Sequence, residues 1–180
     1  MGKTVSADPY EWPYDGNIDP SRTALLLIDW QHDFCGPGGY VDTMGYDISL
    51  TRRGVEPTRN VLESCRRVPG FTIIHTREGH KPDLSDCPPN KLWRSRQMGA
   101  GIGDPGPNGR ILVRGEPGWE IIDELAPGEG EPGIDKPNKG AFTAIAAGDY
   151  NTCALDAQGQ AVCWGNDTDG QSSSPAGAFT

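Results

Sequence analysis

The stretch TALLLIDWQHDF occupies residues 23–34 and joins a continuous apolar run to a polar motif. Apolar residues at successive positions are typical of a strand that is buried on both faces, as in the centre of a parallel sheet. Asp29 follows this run directly. Ligands of open α/β sheets bind beyond the carboxyl ends of the strands, so this position suits a functional carboxylate. Taken alone, however, Asp29 is better explained as a helix cap or a turn residue.

The rest of the chain up to residue 142 fits the same kind of sheet. Residues 1–20 are predicted to form an extended N-terminal arm, which is rich in proline and aromatic residues from residue 7 on. After the first strand, the pattern predicts a helix at residues 51–67 and a second strand at residues 71–76. A long polar loop follows at residues 77–110, with a short helix at residues 91–97 inside it, and a third strand ends the series at residues 134–136. This order predicts an incomplete doubly wound α/β domain over residues 21–142.

Composition limits the classes of partner. The formal net charge of -9 argues against a nucleic-acid surface. No apolar run is long enough to span a bilayer, so no membrane partner is expected. The first residues lack the apolar core of a signal peptide, and a cytoplasmic protein is therefore expected.

The five cysteines form two groups. Cys35, Cys65 and Cys87 are scattered, which is typical of reduced thiols in the cytosol. Cys153 and Cys163 flank a turn and would face each other across a hairpin. They could close a cross-strand disulfide or pack as two small buried side chains, and the sequence leaves both open.

The motif around Asp29, together with KPNKGAF at residues 136–142, resembles the isochorismatase-like cysteine hydrolases. Within that family the chain is similar to the biuret, triuret and ureidoacrylate amidohydrolases over residues 9–142. The motifs that support this similarity are GGYVD at residues 38–42, HTREGH at residues 75–80 and PDL at residues 82–84. The resemblance implies a three-layer αβα fold, hydrolysis of C–N bonds in small linear amides or ureides, and no cofactor or metal. The resemblance leaves open whether the chain forms a homo-oligomer of the family type, and a shortened domain does not favour one.

The resemblance also implies roles for individual residues. Asp29 would take the thiol proton, Lys136 would stabilise the thiolate and the oxyanion, and Phe34 would wall the substrate pocket. A thiol attacks only as the thiolate, so it needs such a base or cation beside it. Lys139 competes for the lysine role, but Lys136 has the family's spacing from Ala141 and Phe142.

The third member of the implied triad, a cysteine, has no counterpart. In the family it lies well beyond the lysine, after a buried strand, in the context G-x-x-T-x-x-C-V. The corresponding residues 166–172 read NDTDGQS, which is typical of a loop, and Cys153 and Cys163 have different flanks. The chain is therefore expected to be inactive alone. Without the strand that precedes the nucleophile, residues 25–28 are expected to form an exposed sheet edge.

The last part of the chain has a different pattern. The string GAFT at residues 140–143 recurs at residues 177–180, with alternating apolar residues and a turn between the copies. Residues 143–180 resemble a single repeat of the regulator of chromosome condensation family, a β-propeller. One blade cannot bury its own faces, so no propeller function is inferred. Both families use a Gly-Ala-Phe string, which suggests a fusion or assembly chimera joined at residues 140–142.

Three hypotheses of function follow. The first is an amidohydrolase ancestry with lost or incomplete activity, acting on a small amide or ureide. The second is a non-catalytic chimeric or interaction protein that carries an orphan propeller repeat. The third is a chain without a function of its own. An assay of ammonia release separates the first from the others.

Overall fold

The computed structural model describes residues 3–137, 144–147, 151–155 and 160–165. The helices in these ranges are α1 (His32–Cys35), α2 (Tyr40–Thr43), α3 (Ser49–Arg52), α4 (Val55–Arg66) and α5 (Pro89–Gln97). The strands are β1 (Ala24–Ile28), β2 (Thr72–Glu78), β3 (Pro105–Gly106), β4 (Gly109–Arg110), β5 (Gly133–Lys136), β6 (Ala144–Ala147), β7 (Asn151–Leu155) and β8 (Ala161–Gly165). None of the helices in these ranges is long and apolar enough to cross a bilayer.

Strands β1, β2 and β5 form a parallel sheet with β2 in the middle. Parallel strands need crossover connections, and α4 supplies the one between β1 and β2. Ile28 lies opposite Thr76, and Glu78 lies opposite Lys136. The carboxyl ends of all three strands therefore share one edge of the sheet. This parallel sheet with helices confirms the predicted α/β class.

Strand β1 lies at one side of this sheet. In the described ranges it pairs with β2 alone, as the sequence predicted for residues 25–28. Leu27 is buried under the helices, whereas Ile28 is 51% exposed. Such an apolar strand with unpaired backbone groups on one side is prone to association.

The main core lies between the sheet and α4. Its buried members come from β1, β2, α1, α4 and the segment at residues 121–125, namely Leu27, Cys35, Val55, Leu62, Ile73, Ile121, Ile122 and Leu125. Helix α4 ends shortly before Pro69 and Gly70, and Gly70 has a φ of 79°, a conformation that favours glycine. The predicted helix of residues 51–67 is thus two helices, α3 and α4.

The prediction of a long polar loop over residues 77–110 was wrong in part. Strand β2 runs on to Glu78, and α5 covers the predicted short helix. Below α5 lies a second apolar cluster of Cys87, Ala100, Ile102, Ile111 and Leu112. Ile111 and Leu112 belong to a short apolar run, whereas Cys87, Ala100 and Ile102 stand singly among glycines, prolines and charges, so no periodic pattern links the cluster.

Strands β6, β7 and β8 form a separate antiparallel sheet. Cys153 lies directly opposite Cys163 on β7 and β8, and the two sulfurs form a disulfide. Of the two alternatives left open by the sequence, the structure has the disulfide. Cys35, Cys65 and Cys87 are free, as predicted. The GAFT strings at residues 140–143 and 177–180 lie outside the described residues.

Glu131 joins the loop before β5 to the core elements. It accepts hydrogen bonds from Arg66 at 2.7 and 2.8 Å, and from the backbone of Gly128 at 2.8 Å. Its other contact is His75 Nε2, at 2.8 Å. The hydrogen bonds from Arg66 are the main cause that lowers the pKa of Glu131 to about 2.

We expect Glu131→Gln to lower the free energy of unfolding by about 1–3 kcal/mol at neutral pH, because the charged hydrogen bonds to Arg66 are weakened. A carboxylate with a depressed pKa stabilises the fold above its unfolded value of 4.5, and this contribution is lost as the pH falls towards about 2. The difference between parent and variant should therefore shrink over that pH range in urea titrations. Glu129→Gln, at an exposed neighbour, is the control and should show no such change. A constant difference across the range would contradict the prediction.

Candidate active site at the carboxyl end of the parallel sheet

Asp29 stands immediately after β1 in an unusual backbone conformation. Its φ is 60°, in the left-handed region that aspartate tolerates better than most residues. Its backbone N–H still donates to the Thr76 carbonyl at 3.1 Å, so the strained residue remains tied to β2. Strained residues held firmly at strand ends are frequent in functional sites.

Lys136 reaches Asp29 across the middle strand of the sheet. Its Nζ lies 2.6 Å from Asp29 Oδ2, and the Lys136 side chain is fully buried. Thr76, on the intervening strand, donates its hydroxyl to Asp29 Oδ1 at 2.9 Å. The structure thus brings together the two residues that the sequence proposed as base and cation. Lys139, the competing lysine, lies outside the described residues.

The surroundings make Asp29 more basic. Burial is the main cause that raises its pKa above the ordinary value, and the negative charge of Glu78 adds to this effect. The hydrogen bonds and the charge of Lys136 and Thr76 oppose it. A carboxylate with a raised pKa is a better proton acceptor, as a general base requires.

A cavity of about 440 Å³ lies between α1, α2 and α5. Its lining residues are Phe34, Tyr40, Val41, Met44, Glu78, Lys91, Arg94, Ser95, Met98, Ile102 and Leu112. Phe34, which the sequence proposed as a wall of the substrate pocket, lines this cavity and meets Tyr40 edge to face with ring centres 6.3 Å apart. Its role in substrate binding stays a prediction. Glu78 lines the cavity and lies opposite Lys136 in the sheet, and Lys136 in turn contacts Asp29. The volume and the mainly apolar wall suit a small-molecule ligand.

Lys91 ties the cavity to the end of β5. Its ammonium donates to Glu78 Oε1 at 2.7 Å and to the Pro137 carbonyl at 2.7 Å, and it lies 2.9 Å from His80 Nε2. An ammonium has only donors, so His80 Nε2 must accept the third hydrogen bond. The ring proton of His80 then sits on Nδ1, which is 3.2 Å from Asp86 Oδ1. Burial and the charge of Lys91 lower the pKa of His80, in agreement with a neutral ring.

Gln31 is a structural part of the site that sequence reasoning missed. It is fully buried, and its Nε2 donates to the carbonyls of Glu78 at 2.9 Å and Trp119 at 2.8 Å. Its Oε1 accepts from the Glu78 backbone N–H at 2.6 Å. The side chain therefore holds the backbone of Glu78 on both sides. Its place two residues after Asp29, in a polar motif next to a buried strand, was the available signal.

Asp33 has a similar role on the other side of α1. Its Oδ2 accepts from the Leu112 backbone N–H at 2.9 Å, and Oδ1 accepts from the Tyr40 N–H at 3.2 Å. Leu112 has a φ of 50°, so this hydrogen bond helps to hold a strained residue of the cavity wall. Of the two aspartates in the motif, Asp29 thus faces Lys136, whereas Asp33 supports the cavity wall.

The pKa values of the free thiols in the described ranges are shifted away from the thiolate form. Burial raises the pKa of Cys35, of Cys65 and of Cys87. A nucleophilic cysteine needs the opposite shift, towards the thiolate. Cys153 and Cys163 are bonded to each other.

Comparison with known proteins matches two families. The isochorismatase domain family matches residues 23–152. The regulator of chromosome condensation repeat matches residues 142–171, so the two matches overlap at residues 142–152.

Individual relatives cover the same front part of the chain. The chain is 31% identical over 129 residues to the ureidoacrylate amidohydrolases RutB of Caulobacter segnis and Caulobacter vibrioides, which covers 69% of this chain and 53% and 56% of theirs. An isochorismatase family protein from Desulfovibrio vulgaris is 29% identical, with a TM-score of 0.49, and the alignment covers 69% of this chain and 57% of that protein. The chain therefore spans about half the length of the curated relatives it matches. With a family match over residues 23–152 and a parallel sheet of the predicted α/β class, this chain belongs to the isochorismatase family.

Proposed function

We propose that the chain supplies the base and the cation of a hydrolytic site for C–N bonds in small linear amides or ureides, of the biuret or ureidoacrylate type. The contact of Lys136 Nζ with Asp29 Oδ2 at 2.6 Å, at the buried end of a family sheet, carries the proposal. The resemblance to ureidoacrylate amidohydrolases over 129 residues supports the substrate class.

In this reaction Asp29 takes the proton of a cysteine thiol. The thiolate then attacks the carbonyl carbon, and Lys136 stabilises the negative charge that develops on the carbonyl oxygen. The C–N bond breaks, the nitrogen leaves as an amine or ammonia after it gains the proton, and water hydrolyses the thioester. The pKa of Asp29, raised by burial, favours the first proton transfer.

The attacking sulfur is the part that we propose this chain lacks. The thiols of Cys35, Cys65 and Cys87 have raised pKa values, and Cys153 is bonded to Cys163. Removal of a covalent nucleophile costs a factor on the order of 10⁶ in turnover. The chain alone should therefore be inactive.

An assay of ammonia release from biuret and from ureidoacrylate tests this proposal. We expect no release by the chain alone, and release when a fragment of a family relative that carries the cysteine segment is added. Asp29→Asn in the same mixture should abolish the release. Turnover by the chain alone, or a mixture in which Asp29→Asn has no effect, would contradict the proposal.

A second candidate is a non-catalytic chimeric or interaction protein. The separate sheet of β6, β7 and β8 and the repeat match at residues 142–171 favour it. The disulfide of Cys153 and Cys163 and the free thiols of the front part fit different compartments, which suggests different histories for the proposed segments 21–142 and 143–180. The front part is proposed to be cytoplasmic.

This candidate predicts that the chain captures proteins with propeller repeats through its β-sheet edges. Amplification across residues 140–142 from source DNA tests the chimera itself. If the source DNA contains only a hydrolase reading frame that continues past residue 142, and not the fused reading frame of this chain, the chain is an artefact of assembly.

A further inference from the structure

The orientation of the Asp29 carboxylate is not fixed by its own backbone. The terminal torsion of an aspartate has a broad energy profile, so a carboxylate without partners turns easily. Asp29 follows β1 directly, and 18% of its side chain is exposed, so packing alone does not remove this freedom. Hydrogen bonds therefore decide which way the two oxygens point.

Thr76 holds Asp29 at two points. Its carbonyl accepts from the Asp29 backbone N–H at 3.1 Å, and its hydroxyl donates to Asp29 Oδ1 at 2.9 Å. An ionised carboxylate has only acceptors, so the hydroxyl is the donor in this contact. These two attachments to one residue hold both the strand end and the rotation of the carboxylate.

Thr76 is also a rigid support. It is fully buried in the middle strand β2, opposite Ile28 on β1 and Ile134 on β5. Its β-branched side chain is stiff at χ1, so the hydroxyl has a defined position. The ammonium of Lys136, 2.6 Å from Oδ2, is a compact charge on a flexible four-carbon stem. The direction of the carboxylate therefore comes from the hydroxyl more than from the ammonium.

The same hydroxyl favours the form of Asp29 that accepts a proton. Burial raises the pKa of Asp29, and the hydrogen bonds from Lys136 and Thr76 lower it. A donor to the charged form stabilises the carboxylate relative to the acid. Glu78, whose negative charge raises this pKa, acts in the opposite direction.

We propose that Thr76 is the positioning residue for Asp29, with a hydroxyl that sets the rotation of the carboxylate so that Oδ2 faces Lys136. The orientation is a property of this chain alone. Its consequence for catalysis, a base held ready for the thiol proton, rests on the proposed function.

Two substitutions of Thr76 test the proposal in the full chain. Thr76→Val removes the hydroxyl and keeps the branched shape, whereas Thr76→Ser keeps the hydroxyl. In a carbon-13 NMR titration of the Asp29 carboxyl, we expect the midpoint to move to higher pH in Thr76→Val and to return close to the parent in Thr76→Ser. A crystal structure of Thr76→Val should show the carboxylate turned from its parent orientation. An unchanged midpoint or an unchanged single orientation in Thr76→Val would overturn the proposal.

Thr72→Val is the matched control. Thr72 is the first residue of the same strand, and its substitution should leave the Asp29 midpoint unchanged. Hydrogen-exchange protection of the Asp29 backbone N–H, which donates to the Thr76 carbonyl, checks in each variant that the strand end is intact. In the parent, the Thr76 hydroxyl proton should exchange slowly enough to be seen by proton NMR. Rapid exchange of this proton would overturn the proposal even if Thr76→Val does not fold.

Turnover in the completed mixture separates this proposal from the proposed function. We expect Thr76→Val to lower kcat by about tenfold to a hundredfold with little change in KM, because a misplaced base affects the chemical step. Ammonia release that is unchanged in Thr76→Val would reject the positioning role and leave the proposed function standing. If no mixture releases ammonia while the Asp29 midpoint still depends on the Thr76 hydroxyl, the proposed function fails and the orientation of Asp29 by Thr76 stands.

Discussion

Replacement of Lys136 by methionine lowers the free energy of unfolding by about 3–5 kcal/mol at neutral pH, because it leaves a mostly buried carboxylate without its counter-ion. Asp29 would keep only the Thr76 hydroxyl, 2.9 Å from Oδ1, of its two side-chain hydrogen bonds. Urea unfolding followed by circular dichroism measures the loss.

The pH dependence identifies the cause of this loss. Lys136 opposes the rise of the Asp29 pKa, so burial raises the pKa further in the variant. The folded variant then binds a proton at pH values above 3.8, where the unfolded chain releases it. The instability should grow as the pH rises through the folded pKa and be smallest in acid.

A double variant provides the control. Lys136→Met together with Asp29→Asn removes both charges, and asparagine tolerates the φ of 60°. It should recover a large part of the lost stability. A loss in Lys136→Met that is independent of pH, or no recovery in the double variant, would contradict an ion pair at this position.

Replacement of Gln31 by alanine also costs about 3–5 kcal/mol, because it strips partners from three buried backbone groups. These are the N–H and the carbonyl of Glu78 and the carbonyl of Trp119. The loss of these contacts should also release the backbone of Glu78, which lines the cavity. The measurement is urea unfolding followed by circular dichroism.

Gln97→Ala is the matched control for this prediction. Gln97 is exposed at the end of α5, and its substitution should change stability by less than about 0.5 kcal/mol. An equally small effect of Gln31→Ala would mean that the buried amide does not support the site.

Parts of the site were predictable because they depend on local pattern. The apolar run before Asp29 predicts β1, and the end of a third strand at residues 134–136 was also predicted. Family motifs then suggested that these two residues meet, and the structure places them in contact. Their catalytic roles stay a prediction.

Other parts were not predictable from local pattern. Gln31 binds carbonyls that lie 47 and 88 residues away in the chain. The second apolar cluster combines residues from three separate loop segments, so its members show neither helical nor strand periodicity. Glu78 and Arg94 are 16 positions apart in the sequence, and nothing in either segment indicates that they line one cavity.

Local composition was enough for the strand β1 and the helix α4, because burial on both faces demands a continuous apolar run and burial on one face demands a helical repeat. The meeting of Lys136 with Asp29 spans 107 residues and depends on the placement of β2 between their strands. That placement is a property of the packed sheet. Hydrogen bonds between strands decide which side chains share an edge of the sheet. Because these bonds join backbone N–H and carbonyl groups, which nearly all residue types have, the residue types alone do not show which strands pair.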